Sequence, residues 1–131
     1  MTVLCDFQTI IGDVGQPVPV AGPGAEVPLG HPDGFNTGGR IAGGPASGEV
    51  GGDTAFLIYS VRGMVGTAQV FVNDSDEFNG IITPSSGTGW STQLIALAGF
   101  RLNDGNNRIT LRNVTDTFTI KDLICYYHQS S

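Results

Sequence analysis

At 131 residues the chain has the length of one ordinary domain, and its 14% charged residues and 20 glycines suit short strands joined by turns. Its net charge of −6 comes with no run of Lys or Arg, which argues against a nucleic-acid partner and against an anionic membrane surface. No stretch approaches the ~20 apolar residues that a transmembrane helix needs, so we expect a soluble protein.

The N-terminal segment predicts a strand over Val3 to Ile11, which closes at Gly12 and Asp13. It has no charged-then-apolar pattern of a signal peptide, so we expect a cytoplasmic chain or a secreted one whose signal has been removed. A Gly/Pro-rich loop region follows over residues 12–53, with 13 of the 20 glycines and six of the seven prolines. Within it we expect short edge strands near residues 17–20 and 25–29, because proline is tolerated at edges.

From residue 54 onward the apolar pattern strengthens and predicts strands in quick succession. Residues 55–61 are apolar on both faces, and with residues 67–73 they predict a hairpin joined through 62–66. Further strands are predicted over 78–83, 90–97, 108–114 and 117–127, with a turn at 104–107. The expected core residues are Phe56, Ile58, Val70, Val72, Ile109 and Leu111.

Seven to nine strands without helical periodicity predict an all-β domain, an antiparallel two-sheet jelly-roll sandwich. We expect its first and last strands to be neighbours. In the first strand, alternation turns Val3, Cys5 and Phe7 inward. In the last strand, simple alternation turns Cys125 outward, whereas a bulge at residues 121–122 would turn it inward. Alternation therefore leaves a disulfide between the two cysteines open, and two buried free thiols are the simpler interpretation.

Catalytic residues are not evident in the sequence. His31 and His128 are the only histidines, no Gly-x-Ser-x-Gly motif occurs, and neither cysteine lies in an electropositive setting. We therefore expect a protein that is not an enzyme.

Ligand binding is better supported, by one residue above all. Trp90 follows Gly-Thr-Gly and so stands where a loop becomes a strand, a position from which an indole can stack on the apolar face of a sugar. Packing at the end of the sandwich is the alternative role for this ring. Candidate ligand-binding residues are Trp90, Tyr126, Tyr127, His31 and Asn73.

A carboxylate-rich turn offers the hard oxygen ligands that calcium prefers, although its spacing is not that of an EF-hand. Its members are Asp74, Asp76 and Glu77, and an ordinary solvated turn is the alternative. Zinc is disfavoured because clusters of thiol and imidazole ligands are absent from the sequence.

The order of several segments resembles galactose-binding-like jelly rolls, including carbohydrate-binding modules of the six and thirty-five type. The similar segments are Ala55 to Asp74, Trp90-Ser-Thr92, Leu102 to Leu111 and Ile120-Lys-Asp-Leu-Ile124, so the resemblance covers roughly residues 54–127. It implies ligand binding by loops at one end of the sandwich, with Trp90 as a platform. It also implies a structural calcium ion held by the terminal strands, for which Asp6 and Asp122 occupy plausible positions.

Together these features predict a non-catalytic binding module whose leading ligand class is carbohydrate. The alternative is a structural or assembly subunit, such as part of a phage particle or virion or of a homo-oligomer.

Overall fold

The fold is described from a computed structural model that covers residues 3–22, 24–37, 40–41, 55–73, 80–84, 89–97, 102 and 105–130, with the backbone alone for 3–6, 40–41 and 128–130. Within these residues every regular element is a strand, as the sequence predicts. The strands are β1 (Val3–Ile11), β2 (Gln16–Val18), β3 (Val27–Pro28), β4 (Phe35–Asn36), β5 (Arg40–Ile41), β6 (Ala55–Arg62), β7 (Ala68–Val72), β8 (Gly80–Ile82), β9 (Ser91–Leu97), β10 (Asn106–Asn107), β11 (Ile109–Arg112) and β12 (Phe118–Ser130).

The strands form two main antiparallel sheets around one apolar core. The first sheet has the order β1-β12-β6-β9, with β2 and β5 also paired to β12, and the second has the order β3-β11-β7-β8. A short pair, β10 with β4, stands apart. The prediction that the first and last strands are neighbours is confirmed, and the edge strands expected in the Gly/Pro-rich region correspond to β2 and β3.

The second sheet buries the side of its strands that alternation predicts. Val70 and Val72 of β7 and Ile109 and Leu111 of β11 are each at most 1% exposed. They belong to the same core cluster as the inner residues of the first sheet, so the two sheets face each other across one core.

The predicted hairpin between β6 and β7 is wrong, because these strands belong to different sheets. β6 pairs with β12 and β9, whereas β7 pairs with β11 and β8. Both strands are apolar enough to be central, and each finds two partners in its own sheet. Residues 63–66 therefore cross from one sheet to the other, and Met64 is buried where they cross.

The inner face of the first sheet also differs from the prediction. Leu57 and Tyr59 of β6 are buried, whereas Phe56 and Ile58 lie on the opposite face and are only half-buried. Phe7 of β1, expected inside, has 53% of its surface exposed. Because β6 is apolar on both faces, its pattern does not determine which set points inward.

A bulge in β12 sets the inward side of the last strand. Asp122 has a left-handed φ of 51°, its N–H donates to the Gly12 carbonyl at 3.0 Å, and the pairing with β6 shifts between Lys121 and Ile124. Consequently Phe118 and Ile120 point inward before the bulge. After it the buried residues are Leu123, Cys125 and Tyr127, which is the bulged alternative that the sequence left open.

Cys125 is a free, buried thiol, so no disulfide joins it to Cys5. The register explains this, since Cys125 pairs with Gln8 and Cys5 pairs with His128, three residues away along the strands. Burial raises the pKa of the Cys125 thiol to about 12. In the described ranges no helix has the length and apolarity required to cross a membrane.

Candidate functional site

The outer face of the first sheet carries a row of three aromatic rings. The antiparallel register places Phe7 of β1 opposite Tyr126 of β12, and Tyr126 opposite Phe56 of β6. The ring centroids of Phe7 and Tyr126 are 5.8 Å apart, and those of Tyr126 and Phe56 are 4.9 Å apart in a stacked arrangement. We call these three residues the aromatic row. Phe7 is 53% exposed, whereas Tyr126 and Phe56 are half-buried, so the row presents a partly exposed apolar strip.

Beyond the aromatic row the same face becomes gradually polar. Ile124, Ile58 and Leu94 form the next row by register, and Leu94 is 58% exposed. The following pair, Ser60 of β6 and Thr92 of β9, shares a hydrogen bond of 3.0 Å between hydroxyl groups.

Trp90 lies at the far end of this face, just before β9 begins, and 39% of its surface is exposed. The Nζ atom of Lys121 is 4.4 Å from its ring centroid, and the Cζ atom of Arg62 is 5.9 Å away. Lys121 comes from the bulge of β12 and Arg62 from the last position of β6. We call these three residues the Trp90 cluster. Arg62 lies six positions after Phe56 along β6, so the cluster and the aromatic row are roughly 20 Å apart.

The Trp90 cluster opens into a cleft at the end of the sheet with a volume of about 730 Å³, within the range of small-ligand sites. The polar side chains of its lining are two threonines, Trp90 and Arg62, and no Asp or Glu occurs among the lining residues that the structure describes. The lining consists of Pro17, Val18, Pro19, Arg62, Gly63, Trp90, Thr117, Phe118 and Thr119.

Two cationic side chains, Arg62 and Lys121, lie at the cleft end of the sheet in a chain whose net charge is −6. The Nζ atom of Lys121 lies 3.9 Å from Oδ2 of Asp122, a half-exposed pair that water screens strongly. Among the residues the structure describes, Arg62 forms no ion pair, and its guanidinium lies beside the Trp90 ring. A ring attracts a cation without neutralising it, so the charge of Arg62 remains available to a ligand.

Tyr127 does not lie with Tyr126 at the surface, as a shared ligand role would require. It is 2% exposed, donates its hydroxyl hydrogen to the Thr37 carbonyl at 3.0 Å, and lies 3.4 Å from Nε2 of Gln8. The bulge places Tyr127 on the inner face and Tyr126 on the outer face. Tyr127 is thus a core residue that ties β12 to the loop after β4.

His31 and Asn73 also lie apart from the Trp90 cluster. His31 is in the exposed turn before β4, where its Nδ1 accepts the N–H of Asp33 at 3.1 Å. Asn73 follows β7 in the second sheet, and its side chain holds the backbone N–H of Arg108 at 2.8 Å. Of the five candidate ligand residues, only Trp90 lies in the cleft, with Tyr126 on the same sheet face.

The terminal-strand calcium site is not assembled by the register. Asp6 pairs with Tyr127, whereas Asp122 lies beside Gly12, just beyond the end of β1. Gly12 is six positions after Asp6, so the two aspartates are roughly 20 Å apart. The alternative turn of Asp74, Asp76 and Glu77 lies outside the described residues. Across the ranges that are described, no three His, Cys, Asp or Glu residues cluster in a way that could hold a metal ion.

Sequence reasoning missed Arg62, Lys121 and the two rings that stand beside Tyr126. A signal exists in β6, where Phe56, Ile58, Ser60 and Arg62 alternate onto one face. Which strands pair with that face depends on the register and on the bulge, neither of which is visible in local patterns.

No protein-family model matches the chain, and no curated protein matches it.

Proposed function

We propose that this chain is a non-catalytic carbohydrate-binding module whose ligand lies on the outer face of the first sheet and enters the cleft at Trp90. The observation that carries the proposal is the partly exposed Trp90 ring at a cleft lined by Thr117, Thr119 and Arg62. A sugar presents apolar C–H faces and hydroxyl groups, and this cleft offers an aromatic surface beside hydrogen-bonding side chains.

The strand order supports a jelly-roll assignment of the galactose-binding-like kind. Eight strands form nested pairs, the first with the last (β1 and β12), the second with the seventh (β3 and β11), the third with the sixth (β6 and β9) and the fourth with the fifth (β7 and β8). A chain folded back on itself in this way builds the two Greek keys of a jelly roll. Folds of this kind serve many functions, so the ligand is argued from the site alone.

The length of the face suits an extended glycan. Between the Trp90 cluster and the aromatic row lie the exposed apolar side chain of Leu94 and the hydroxyl of Thr92, which is hydrogen-bonded to the buried Ser60, so aromatic surface stands at both ends with apolar and polar groups between. A chain of several sugar units can contact these features in sequence.

A glycan array tests the proposal directly. We expect the wild-type protein to bind at least one glycan class and Trp90→Ala to lose roughly five- to thirtyfold in affinity, since aromatic contacts of this kind are worth about 1–2 kcal/mol. Ile81→Ala is the matched control, because Ile81 is 42% exposed on the second sheet. Equal binding by wild type and Trp90→Ala, with both variants folded by circular dichroism, would contradict the assignment of the site.

A second candidate function, a subunit of a homo-oligomer or of a particle such as a phage, is favoured by the exposed apolar side chains Phe7 and Leu94. Side chains of this size on one sheet face are typical of contacts between proteins. Light scattering distinguishes the two functions. A subunit forms a stable oligomer that Leu94→Lys dissociates and gives no glycan signal, whereas the binding module gives the glycan signal whatever its oligomeric state.

A further inference from the structure

We infer that the sugar bound at the Trp90 cleft carries an anionic substituent, a carboxylate or a sulfate, that is held by Arg62 with Lys121 beside it. The inference rests on the proposed function and specifies its ligand class.

The lining of the cleft provides the first argument. Acceptor groups for sugar hydroxyls are expected to be carboxylates and amides, yet none of the lining residues that the structure describes is Asp, Glu, Asn or Gln. Apart from threonine hydroxyls, the polar groups carried by the described lining side chains are donors, the Arg62 guanidinium and the Trp90 indole N–H. A set of donors is complementary to a group that only accepts, and a carboxylate or sulfate is such a group.

The distribution of charge provides the second argument. Four cationic side chains are described, and two of them, Arg62 and Lys121, flank Trp90. Arg112, by contrast, is engaged on the second sheet by Glu26, with Nη2 2.6 Å from the carboxylate. In an acidic chain, a guanidinium without a described carboxylate partner at the mouth of a cleft attracts an anion to that place.

The Trp90 ring holds these cations in place without neutralising their charge. An exposed cation–π contact is weaker than a charge-assisted hydrogen bond, so an arriving anion can engage Arg62 while the ring keeps the guanidinium in place. Lys121 already faces Asp122 at 3.9 Å, which leaves Arg62 as the principal anion-binding residue.

Matched glycans test the inference. The probes are N-acetyllactosamine in neutral, sialylated and sulfated forms, and polygalacturonate with its neutral methyl ester, titrated against wild type, Arg62→Gln and Arg112→Gln. We expect wild type to prefer a charged form by roughly tenfold, as one charge-assisted contact predicts. Arg62→Gln should remove the preference and Arg112→Gln, which loses the same charge elsewhere, should keep it. Raising NaCl to about 0.5 M should also reduce the preference. The sialylated and sulfated arms show which anion is preferred.

The outcomes separate the inference from the proposed function. Equal binding of neutral and charged forms overturns the inference and leaves a carbohydrate-binding module. A preference that survives in both Arg62→Gln and Lys121→Gln places the anion elsewhere and also overturns the inference. Absence of binding to every glycan, on the array and in these titrations, overturns the proposed function together with the inference.

Discussion

Single polar side chains hold several strand ends in this molecule, and Asn73 is the clearest case. It follows β7 with a left-handed φ of 55°, a conformation that asparagine tolerates better than most residues. Its Oδ1 accepts the N–H of Arg108 at 2.8 Å, and its Nδ2 donates to Oδ1 of Asn107 at 2.7 Å. The residue therefore supplies both a backbone conformation and a link to the segment that enters β11.

Two substitutions at Asn73 separate these contributions. We expect Asn73→Ala to lower the free energy of unfolding by about 2–3 kcal/mol. The substitution removes both side-chain hydrogen bonds and leaves alanine in a left-handed conformation that it tolerates less well than asparagine. Asn73→Gly should cost about 1 kcal/mol less, because glycine adopts this φ without strain. Urea denaturation measures both changes.

Asn113 is the matched control for Asn73. Its φ is 53°, but its side chain is exposed and its Nδ2 donates to Gln69 at 2.6 Å. Asn113→Ala should therefore cost less than Asn73→Ala, since water replaces an exposed hydrogen bond. Equal losses at the two positions would mean that backbone conformation alone explains Asn73.

At the scale of elements, the bulge in β12 links the core to the outer face of the first sheet. It adds one residue at Asp122, which brings Leu123, Cys125 and Tyr127 inward and Tyr126 outward. Without it the aromatic row would lose its central ring. The bulge therefore positions one end of the candidate site as well as the core.

The left-handed conformation of Asp122 makes the bulge testable. We expect Asp122→Val to lower stability by about 1–2 kcal/mol, because a β-branched residue at positive φ is strained. Asp122→Gly should be nearly neutral in thermal and urea denaturation, since glycine accepts this φ. Both variants lose the pair with Lys121, so that pair cannot explain a difference between them. If they were equally stable, the bulge would not depend on the left-handed residue.

The sequence predicted elements better than it predicted their partners. The strand β11 follows from alternation alone, because one face is apolar and the other polar. β6 is apolar on both faces, so neither its inward side nor its sheet could be inferred, and its pairing with β7 was predicted wrongly. Trp90 was identifiable as the one tryptophan of the chain, placed after glycines where a loop becomes a strand. Arg62 and Lys121 join it only through pairings between β6, β9 and β12, which no local pattern encodes.

At the scale of the whole molecule, the shared core contains titratable groups that ionise only at high pH. Cys125 is fully buried between the sheets, and burial raises the pKa of its thiol to about 12. Burial likewise raises the pKa of Tyr59, whose hydroxyl donates to Gln93 at 3.0 Å. Both groups stay protonated in the folded state at a pH where the unfolded chain has begun to lose these protons.

The stability of the whole domain should therefore fall on the alkaline side. Because the folded pKa of Cys125 lies above the unfolded value, its contribution is fully present below about pH 8.5 and is lost as the pH rises toward about 12. Within that window one such thiol removes roughly 1.4 kcal/mol of unfolding free energy per pH unit.

We expect Cys125→Ala to be less stable than wild type at pH 7, through the lost sulfur in the core, yet to lose stability less steeply between about pH 9 and about pH 11. Urea denaturation at each pH, in the presence of reductant, measures both slopes. The remaining slope in the variant reports tyrosines such as Tyr59, which titrate in the unfolded chain near pH 10. Equal slopes in the two proteins would show that the Cys125 thiol ionises in the folded state as readily as in the unfolded one, and so is not enclosed between the sheets.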